Sequence, residues 1–277
     1  MRVAVVTPVA GRHDHLRRQR HGLLAGTRPP DLHVVVAMDD PAVRDVLSVH
    51  RPCPDVVDLP CSHRRLPLAQ ARNLGAVRAL IADADLLVFL DVDCIPGAQM
   101  LQRYAEHASG AAAPSLLCGP VAYLPPPPPQ GYDENGLAAI GQPHPARPVP
   151  PETGVIPNGD HHLFWSLSFA VHRSLWRDLG GFCEDYEGYG CEDTDFGQIA
   201  ARHEVPLTWL GGAWAYHQHH PTTDPPVQHI EDILRNAVIF FRRWGWWPMS
   251  GWLDAFARQG LIRYDERTQR WILVDPR

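Results

Sequence analysis

Short apolar runs rich in β-branched residues alternate along the first part of the chain with stretches that suit helices. The runs are Val3 to Val6, Leu32 to Met38 and Leu86 to Leu90. A helix is predicted between the second and third runs, over Leu68 to Ala82, because apolar residues recur there at helical spacing. Strands that alternate with helices form parallel sheets. The sequence therefore predicts an α/β fold with a mixed, mostly parallel central sheet flanked by helices.

The composition fits a globular unit of this kind and disfavours two other classes of protein. With 277 residues, 45% of them hydrophobic, the chain is long enough to bury a sizeable core. Its net charge of −6 provides no general positive field for nucleic acid or an anionic membrane surface. No run of about 20 apolar residues occurs, so no transmembrane segment is expected. Six cysteines without a C-x-x-C pair favour a reduced, cytoplasmic location.

The pattern changes after about residue 115. The segment LLCGPVAYL predicts a further strand, and the proline clusters that follow predict a surface loop over 125–160 that cannot join the central sheet. A second half, 161–225, precedes an amphipathic helix predicted over Val227 to Arg243. For the tryptophan-rich C-terminus three roles are open: packing against the main sheet, a homodimer contact or a membrane-surface anchor. Packing is favoured, because the segment has no cationic face.

Polar residues stand where the predicted strands end. In open α/β sheets, ligands bind at the carboxyl ends of the strands. Those ends read Thr7-Pro8, Asp39-Asp40 and Asp91-Val92-Asp93. The sequence therefore predicts one ligand crevice lined by all three.

The segment FLDVDC at 89–94 is a hydrophobic strand that ends in Asp-x-Asp. Alternate residues of a strand point the same way, so Asp91 and Asp93 can face one ligand. Carboxylate oxygens suit Mg²⁺ or Mn²⁺ held together with a substrate diphosphate. The alternative interpretation is a solvated turn after a buried strand.

The segment GGFCEDYEGYGCEDTDF at 180–196 carries six carboxylates among glycines and aromatic residues. Such crowding is costly unless a cation relieves the repulsion or the groups stay in water, so an acidic surface loop is the alternative. The aromatic residues argue against a fully solvated loop. Glu192 and Asp193 are predicted to open a helix, whose dipole would keep Asp193 ionised, as a general base requires.

Three histidines follow an aromatic strand end in WAYHQHHP at 214–221. A mixed set of Asp and His ligands points to Mn²⁺ more than to Ca²⁺. His217 is the predicted ligand because it follows the strand directly. For His219 and His220, a surface turn is the alternative.

Together these segments resemble the GT-A-fold, nucleotide-sugar-dependent glycosyltransferases, from Val3 to about Pro221. VAVVTPVAGR looks like the first strand and nucleotide loop of that fold, and VVVAMDD like the second strand with its base-contacting Asp. LPLAQARNLGA looks like the A-R-N-x-G helix, and FLDVDC like the D-x-D metal site.

The resemblance is most specific over WSLSFAVHRSLWRDLGGFCEDYEGYGCEDTDF. This segment is similar to the acceptor side of galactosyltransferases and bacterial chondroitin-polymerase domains, roughly G-G-F-D-E-x-F-x-G-W-G-x-E-D-x-D. The chain departs from that pattern at Cys183, where Asp is common, and at Tyr189, where Trp is common. The proline-rich insertion is a third departure, and it leaves the acceptor undefined.

The resemblance implies a single GT-A, Rossmann-like catalytic domain over 1–225 and a helical, Trp-rich extension over 226–277. Within the domain, 1–124 would be the nucleotide-sugar and metal half, 125–160 the Pro-rich loop, and 161–225 the acceptor and catalytic-base half.

The resemblance also assigns roles to residues at matching positions. Asp93 would be the chief ligand of Mn²⁺ or Mg²⁺, assisted by His217 and Asp91. Asp193 would be the catalytic base, and Glu192 would position the acceptor. Nucleotide and donor contacts fall on Thr7, Pro8, Arg12, Asp39, Arg72, Asn73, Asp91 and Asp93, and acceptor contacts on Trp165, Tyr189, Gly190 and Glu192. For Arg72 a solvated helix position is the alternative, and for Trp165 a core position.

The reaction implied is inverting transfer of a sugar from a nucleoside diphosphate sugar, a UDP-sugar before a guanosine one, to a hydroxyl acceptor. The acceptor class stays open between a glycan, a peptide and a small metabolite. A sugar nucleotidyltransferase is the rival enzyme, although the chain has no lysine and no Gly-rich loop in 1–30. A non-catalytic nucleotide-sugar-binding protein would lose some of Asp91, Asp93, Asp193 and His217, and all four are present.

Overall fold

A computed structural model describes residues 1–49, 51–62, 64–110 and 114–274. In chain order the strands are β1 (Val3–Val9), β2 (Leu32–Met38), β3 (Asp55–Leu59), β4 (Leu86–Leu90), β5 (Cys94–Pro96), β6 (Leu116–Cys118), β7 (Val121–Tyr123), β8 (Gln142–Pro143), β9 (Val155–Ile156), β10 (Ser168–His172), β11 (Leu207–Leu210), β12 (Ala215–His217), β13 (Ile262–Asp265) and β14 (Arg270–Leu273). The helices are α1 (His13–Ala25), α2 (Ala42–Leu47), α3 (Leu68–Ile81), α4 (Met100–Ala108), α5 (Leu137–Ile140), α6 (Arg173–Leu179), α7 (Glu192–Arg202), α8 (Ile230–Trp244) and α9 (Ser250–Arg258), with 3-10 turns at His161–Leu163 and Val227–His229.

The central sheet has the strand order β3-β2-β1-β4-β10-β6-β11-β9. The four strands from β3 to β4 are parallel to one another. Three of them, β1, β2 and β4, confirm the predicted βαβ arrangement, whereas the edge strand β3 was not predicted. β10 runs antiparallel between β4 and β6, and β11 lies parallel to β6. The sheet is therefore mixed, with its parallel half formed by the N-terminal part of the chain.

Both faces of the central sheet are covered, which explains why its strands are apolar without alternation. Val6 and Phe89 belong to the core on one face, whereas Val5 and Val88 belong to the core on the other. Helix α3 approaches the first face so closely that a Cβ on Gly75 would lie 2.3 Å from a methyl group of Val6. The predicted helix over 68–82 is confirmed, and its glycine permits this contact.

A second sheet, with the order β5-β12-β7-β8, lies beyond the carboxyl end of β4. β12 pairs antiparallel with β5 and places His217 opposite Cys94, the residue after Asp93. The prediction of a single strand over 116–124 is wrong, because the segment forms two separate strands. β6 joins the central sheet and β7 joins the second one, and Gly119-Pro120 interrupts the strand between them.

The Pro-rich segment over 125–160 is largely exposed and irregular, as predicted. The prediction that it cannot join the central sheet is wrong at its end, where β9 pairs with β11 as an edge strand. The strand β9 consists of Val155 and Ile156 and contains no proline, although prolines stand on both sides of it in the sequence. Their backbone groups are therefore free to pair at an edge, where proline restrictions are weakest.

The C-terminal extension packs against the 180–196 segment through α8. Helix α8 confirms the predicted amphipathic helix, and its Phe240 forms a buried cluster with Tyr186 and Cys191. The extension is only partly helical, because the β13–β14 hairpin follows α9. Its last three residues lie outside the described part, and a homodimer or membrane-surface role for it stays a prediction. Among the described helices, none combines the length and apolar character needed to cross a bilayer.

Candidate active site

The carboxyl end of β4 is held in a defined turn by two buried glutamines. The side chain of Gln19 on α1 donates to the backbone oxygen of Asp91 over 2.7 Å and to that of Cys94 over 3.2 Å. The backbone nitrogen of Gln218 donates to the backbone oxygen of Asp93 over 2.7 Å. Both glutamines are fully buried. They fix the direction of the Asp93 carboxylate, and the sequence offered no signal for either.

Asp93, His217 and His220 form a group that fits a divalent metal ion. The ligand atoms of the three lie within 4.8 Å of one another. Nε2 of His217 is 3.5 Å from Oδ1 of Asp93, and Nε2 of His220 is 3.6 Å from Oδ2. One carboxylate and two imidazoles are a ligand set that suits Mn²⁺. His219 is exposed and outside the group, so the structure selects His220 from the two histidines left open.

The loop after β1 delivers Arg12 to the same carboxylate. The guanidinium of Arg12 is hydrogen-bonded to Asp93. Asp40 shapes this loop, because it accepts a hydrogen bond from the backbone of Gly11 over 2.7 Å and contacts the ring of His13. Arg12 therefore compensates the charge of Asp93.

The other predicted nucleotide residues of the first two strands lie at different depths. The Thr7 side chain is fully buried and contacts Gln19 and His33, so it is not among the residues that face the crevice. Pro8 is buried within β1, paired with Val36 of β2. Asp39 is exposed at the end of β2, with its backbone nitrogen bonded to Leu59.

Arg72 joins the two halves of the candidate site. Its guanidinium donates to Oδ1 of Asp91 over 2.9 Å and to Oε1 of Glu192 over 3.1 Å, and only 2% of the side chain is exposed. The two carboxylates outweigh burial and raise the pKa of Arg72. The solvated position left open for Arg72 is therefore wrong, because the A-R-N helix faces the sheet. Asp91 is turned toward Arg72 and is not part of the metal-binding group.

Asn73, the next residue of α3, holds the acidic segment. Its side chain exchanges two hydrogen bonds of 2.9 Å with the backbone of Phe182 and donates to Glu184 over 2.8 Å. A Cβ on Gly181 would lie 2.7 Å from the Asn73 side chain, so a glycine is needed at this approach. Arg72 and Asn73 thus position the 180–192 segment rather than an open nucleotide site.

Asp193 lies in the first turn of α7, as predicted, and is partly buried. Its Oδ1 accepts hydrogen bonds from the backbone and hydroxyl of Thr194. Burial and the neighbouring Glu192 charge nevertheless raise the pKa of Asp193 to about 7. The pKa of Asp193 is therefore raised, not held low as expected from its place at the start of α7, because burial and the Glu192 charge act against ionisation. A carboxyl group of this kind is well matched to proton transfer near neutral pH.

The predicted acceptor residues Tyr189 and Trp165 differ in their exposure and in the side chains that they contact. Tyr189 is exposed and stacks on His229, with ring centroids 4.4 Å apart. The side chain of the buried Asn236 on α8 donates to the backbone oxygens of Tyr189 and Gly190. Trp165 is partly buried, and its ring contacts that of His144 with the centroids 4.8 Å apart. The C-terminal extension therefore fixes one wall of the site.

Asp195, two residues after the candidate base, turns away from the site and anchors the C-terminal extension. It is completely buried and accepts hydrogen bonds from Arg243 over 2.7 Å, Trp244 over 2.6 Å and Tyr186 over 3.1 Å. The role of Asp195 is therefore structural.

Asp195→Ala should lower the free energy of unfolding by about 2–4 kcal/mol, because it removes three buried hydrogen bonds and an ion pair. Asp185→Ala, a matched change at an exposed carboxylate of the same segment, should be nearly neutral. Urea unfolding of both variants measures the difference. Equal stabilities would contradict the anchoring role.

Comparison with known proteins places this geometry in context. The chain is 26% identical over 275 aligned residues to a validoxylamine A glucosyltransferase of Streptomyces hygroscopicus subsp. limoneus, covering 87% of this chain and 56% of that protein. A validoxylamine A glucosyltransferase of S. hygroscopicus subsp. jinggangensis (strain 5008) is 28% identical over 207 residues, or 64% of this chain and 44% of that protein. The chain thus spans about half the length of these curated relatives. No family model matches it.

Solved structures show the same fold at low sequence identity. S. aureus TarS 1-349 aligns with a TM-score of 0.57 at 16% identity, over 87% of this chain and 66% of TarS. TarS 1-349 in complex with UDP-GlcNAc aligns with a TM-score of 0.57 at 14% identity, over 87% and 67%. GalNAc-T7 with UDP, GalNAc and Mn²⁺ aligns with a TM-score of 0.56 at 16% identity, over 79% and 44%. The chain has the GT-A fold, which confirms the predicted fold class.

Proposed function

We propose that this chain is a metal-dependent, inverting glycosyltransferase that moves a sugar from a UDP-sugar to a hydroxyl acceptor. The observation that carries the proposal is the pairing of a metal-binding group at Asp93, His217 and His220 with a carboxyl group at Asp193 whose pKa is about 7. Arg72 connects the two parts through Asp91 and Glu192. Curated relatives that are glucosyltransferases support the same reaction class.

The donor would bind across the carboxyl ends of β1, β2 and β4. A cavity of about 260 Å³ opens between residues 60–70 and Glu187, and its lining includes Arg64 and Arg65. Cys61 of this lining lies near Asp39, whose charge acts together with burial to raise the pKa of the thiol. The cavity and Asp39 therefore offer a place for the nucleoside, and Arg12 contacts the metal-binding group at Asp93.

Asp93, His217 and His220 would hold Mn²⁺ or Mg²⁺. When bound, such an ion neutralises the charge of the departing diphosphate. GalNAc-T7, a structural neighbour, was solved with UDP and Mn²⁺. In this chain Arg12 would turn from Asp93 toward the anionic diphosphate.

Asp193 would take the proton of the acceptor hydroxyl as that oxygen attacks the anomeric carbon. Direct displacement of this kind inverts the anomeric configuration, since attack comes from the face opposite the leaving group. Glu192 is bound by Arg72, so its part would be to place the acceptor and to raise the proton affinity of Asp193. Tyr189 and Trp165 would provide apolar faces for sugar rings.

The acceptor is proposed to be a hydroxyl-bearing small metabolite, because the two curated relatives are named as glucosyltransferases of validoxylamine A. UDP-glucose and UDP-GlcNAc are the first donors to test, since the former matches the glucosyltransferase names and TarS was solved with the latter. A mixture of these donors, Mn²⁺ and polyol acceptors, analysed by mass spectrometry, would show a product heavier by one sugar. Intact donor throughout would contradict the proposal.

UDP should bind more tightly than the other nucleoside diphosphates, with GDP second. We expect at least about a tenfold preference over ADP and CDP, because one base-specific hydrogen bond is worth that factor. Binding should weaken strongly in excess chelator. Calorimetric titration of the four diphosphates with Mn²⁺ measures both effects, and ADP or CDP binding as tightly as UDP would contradict the assignment of the donor.

A further inference from the structure

The side chain of Arg147 enters the protein from the Pro-rich segment. It is nine-tenths buried, at the end of the sheet where β6 and β11 terminate. Its Cζ lies 5.1 Å from the ring centroid of Trp165 and 4.6 Å from that of Trp209. The backbone nitrogen of Arg147 donates to His144 over 3.1 Å and closes the exposed turn 144–147. Two indole faces thus hold one guanidinium.

The charge of this guanidinium has no partner within the described ranges. Neither Nη1 nor Nη2 of Arg147 has a hydrogen-bond partner there, and no carboxylate of that part of the chain forms an ion pair with it. Arg72 is similarly buried but is paired with Asp91 and Glu192. Burial lowers the pKa of Arg147, yet an arginine stays protonated in proteins.

An unpaired buried charge is strongly unfavourable, and contact with aromatic faces offsets only part of that cost. The two terminal nitrogens of Arg147 lack hydrogen-bond acceptors within the described ranges. An anion would supply them, because a guanidinium binds a carboxylate or phosphate through two parallel hydrogen bonds. If this side chain only filled space between the two indole rings, an uncharged side chain would do so without the cost of burying a charge.

Arg147 lies on the side of the candidate site where the reacting groups meet. Contacts between rings lead from Trp165 to His144 at 4.8 Å, from His144 to Tyr123 at 6.3 Å, and from Tyr123 to His217 at 5.0 Å. The charge of Asp193 also acts on Arg147. Arg147 therefore lies close to both parts of the candidate site, through the ring contacts of Trp165 and through the charge of Asp193.

We propose that Arg147, held by Trp165 and Trp209, binds through its two terminal nitrogens a carboxylate or phosphate group carried by one of the two substrates. This inference rests on the proposed function, because it assigns the anion to a substrate of sugar transfer. The anion has two chemical sources, a uronic acid in the donor or a phosphorylated sugar as acceptor. Both nitrogens are shielded from solvent, so the turn 144–147 shifts when the anion binds.

Calorimetry with two ligand pairs tests the proposal and distinguishes the sources. The donor pair is UDP-glucuronic acid and UDP-glucose, and the acceptor pair is glucose 6-phosphate and glucose with saturating UDP and Mn²⁺. In one pair, the wild-type chain should bind the anionic member about 10- to 100-fold more tightly. Arg147→Met should abolish that preference and leave UDP affinity unchanged, and Arg147→Lys should restore part of it.

Thermal unfolding separates binding from a structural role. Arg147→Met should unfold at the same temperature as the wild type or higher, because an unpaired buried charge is replaced by an apolar chain of similar length. A large loss of thermal stability with equal weakening of all ligands would overturn the proposal, as would equal wild-type affinity within both pairs. The calorimetric test of Arg147 measures binding and does not require turnover. Failure of sugar transfer would therefore contradict the proposed function without deciding whether Arg147 binds an anion.

Discussion

Asp93→Ala abolishes sugar transfer in a chain that stays folded, which is the largest single effect we expect. The carboxylate supplies an oxygen to the group that fits the metal, between His217 and His220. Loss of the electrostatic stabilisation of a departing diphosphate costs several kcal/mol, so transfer should fall by at least about 10³-fold. The fold should tolerate the change, because the Arg12 side chain released from Asp93 is already more than one-third exposed.

The two histidines that follow β12 provide a matched pair for the same prediction. His220→Ala removes a ligand and should weaken Mn²⁺-dependent UDP binding and transfer. His219→Ala alters an exposed ring outside the group and should leave both unchanged. Steady-state transfer and calorimetric UDP binding, each with Mn²⁺ and with excess chelator, measure the effects. Full turnover of Asp93→Ala, or of the wild type in chelator, would remove the metal from the reaction.

Asp193→Asn lowers the turnover number by about 10²–10⁴-fold, the usual contribution of a general base. UDP affinity should barely change, because the proposed reaction assigns Asp193 to the acceptor and not to the nucleotide or its metal ion. Asp185→Asn, at an exposed carboxylate of the same segment, should leave turnover unchanged. Single-turnover transfer and calorimetry of both variants measure rate and affinity separately. Wild-type turnover in Asp193→Asn, or an equal loss of UDP affinity, would contradict the assignment.

Because the pKa of Asp193 is raised, both the turnover number and the stability of the fold should depend on pH. The base form appears above the pKa of about 7, so wild-type turnover should rise with pH through that value and then level off. In the folded chain the pKa lies above the usual 3.8, so the carboxyl group stabilises the fold below about pH 4, and this contribution is lost as pH rises through 7. Asp193→Asn should therefore be about 1–3 kcal/mol more stable than the wild type at pH 8.

Three strands of the parallel half, β1, β2 and β4, were predictable because apolar runs and burial coincide there. The edge strand β3 was missed, since of its residues only Leu59 is buried and two are aspartates. β2 and β4 are buried on both faces, so an unbroken apolar run indicated each strand. The strands of the mixed half were harder to predict from the sequence, since their pairing depends on contacts between distant segments. The short β9 is an example, because its position at a sheet edge is set by β11 and not by its own two residues.

Residue types at the candidate site were easier to predict than side-chain directions. Asp93 and His217 meet because β5 and β12 pair, a contact that the two motifs suggested without defining its register. Asp91 and Arg72 were assigned to the donor, whereas the structure turns them toward each other. Asn236 and Arg147 were missed, since a single polar residue in a helix or a proline-rich segment gives no signal of its burial.

The stereochemistry of transfer tests the central proposal most directly. Proton NMR of the first product formed from UDP-glucose, whose anomeric bond is α, distinguishes the two anomers by their coupling constants before any equilibration. With Mn²⁺ present, we expect a β-linked product from the wild-type chain, formed at least about 100-fold more slowly by Asp193→Asn and at least about 10³-fold more slowly by Asp93→Ala. An α-linked product, or a β-linked product formed at the wild-type rate by either variant, would contradict metal-dependent inversion with Asp193 as the base.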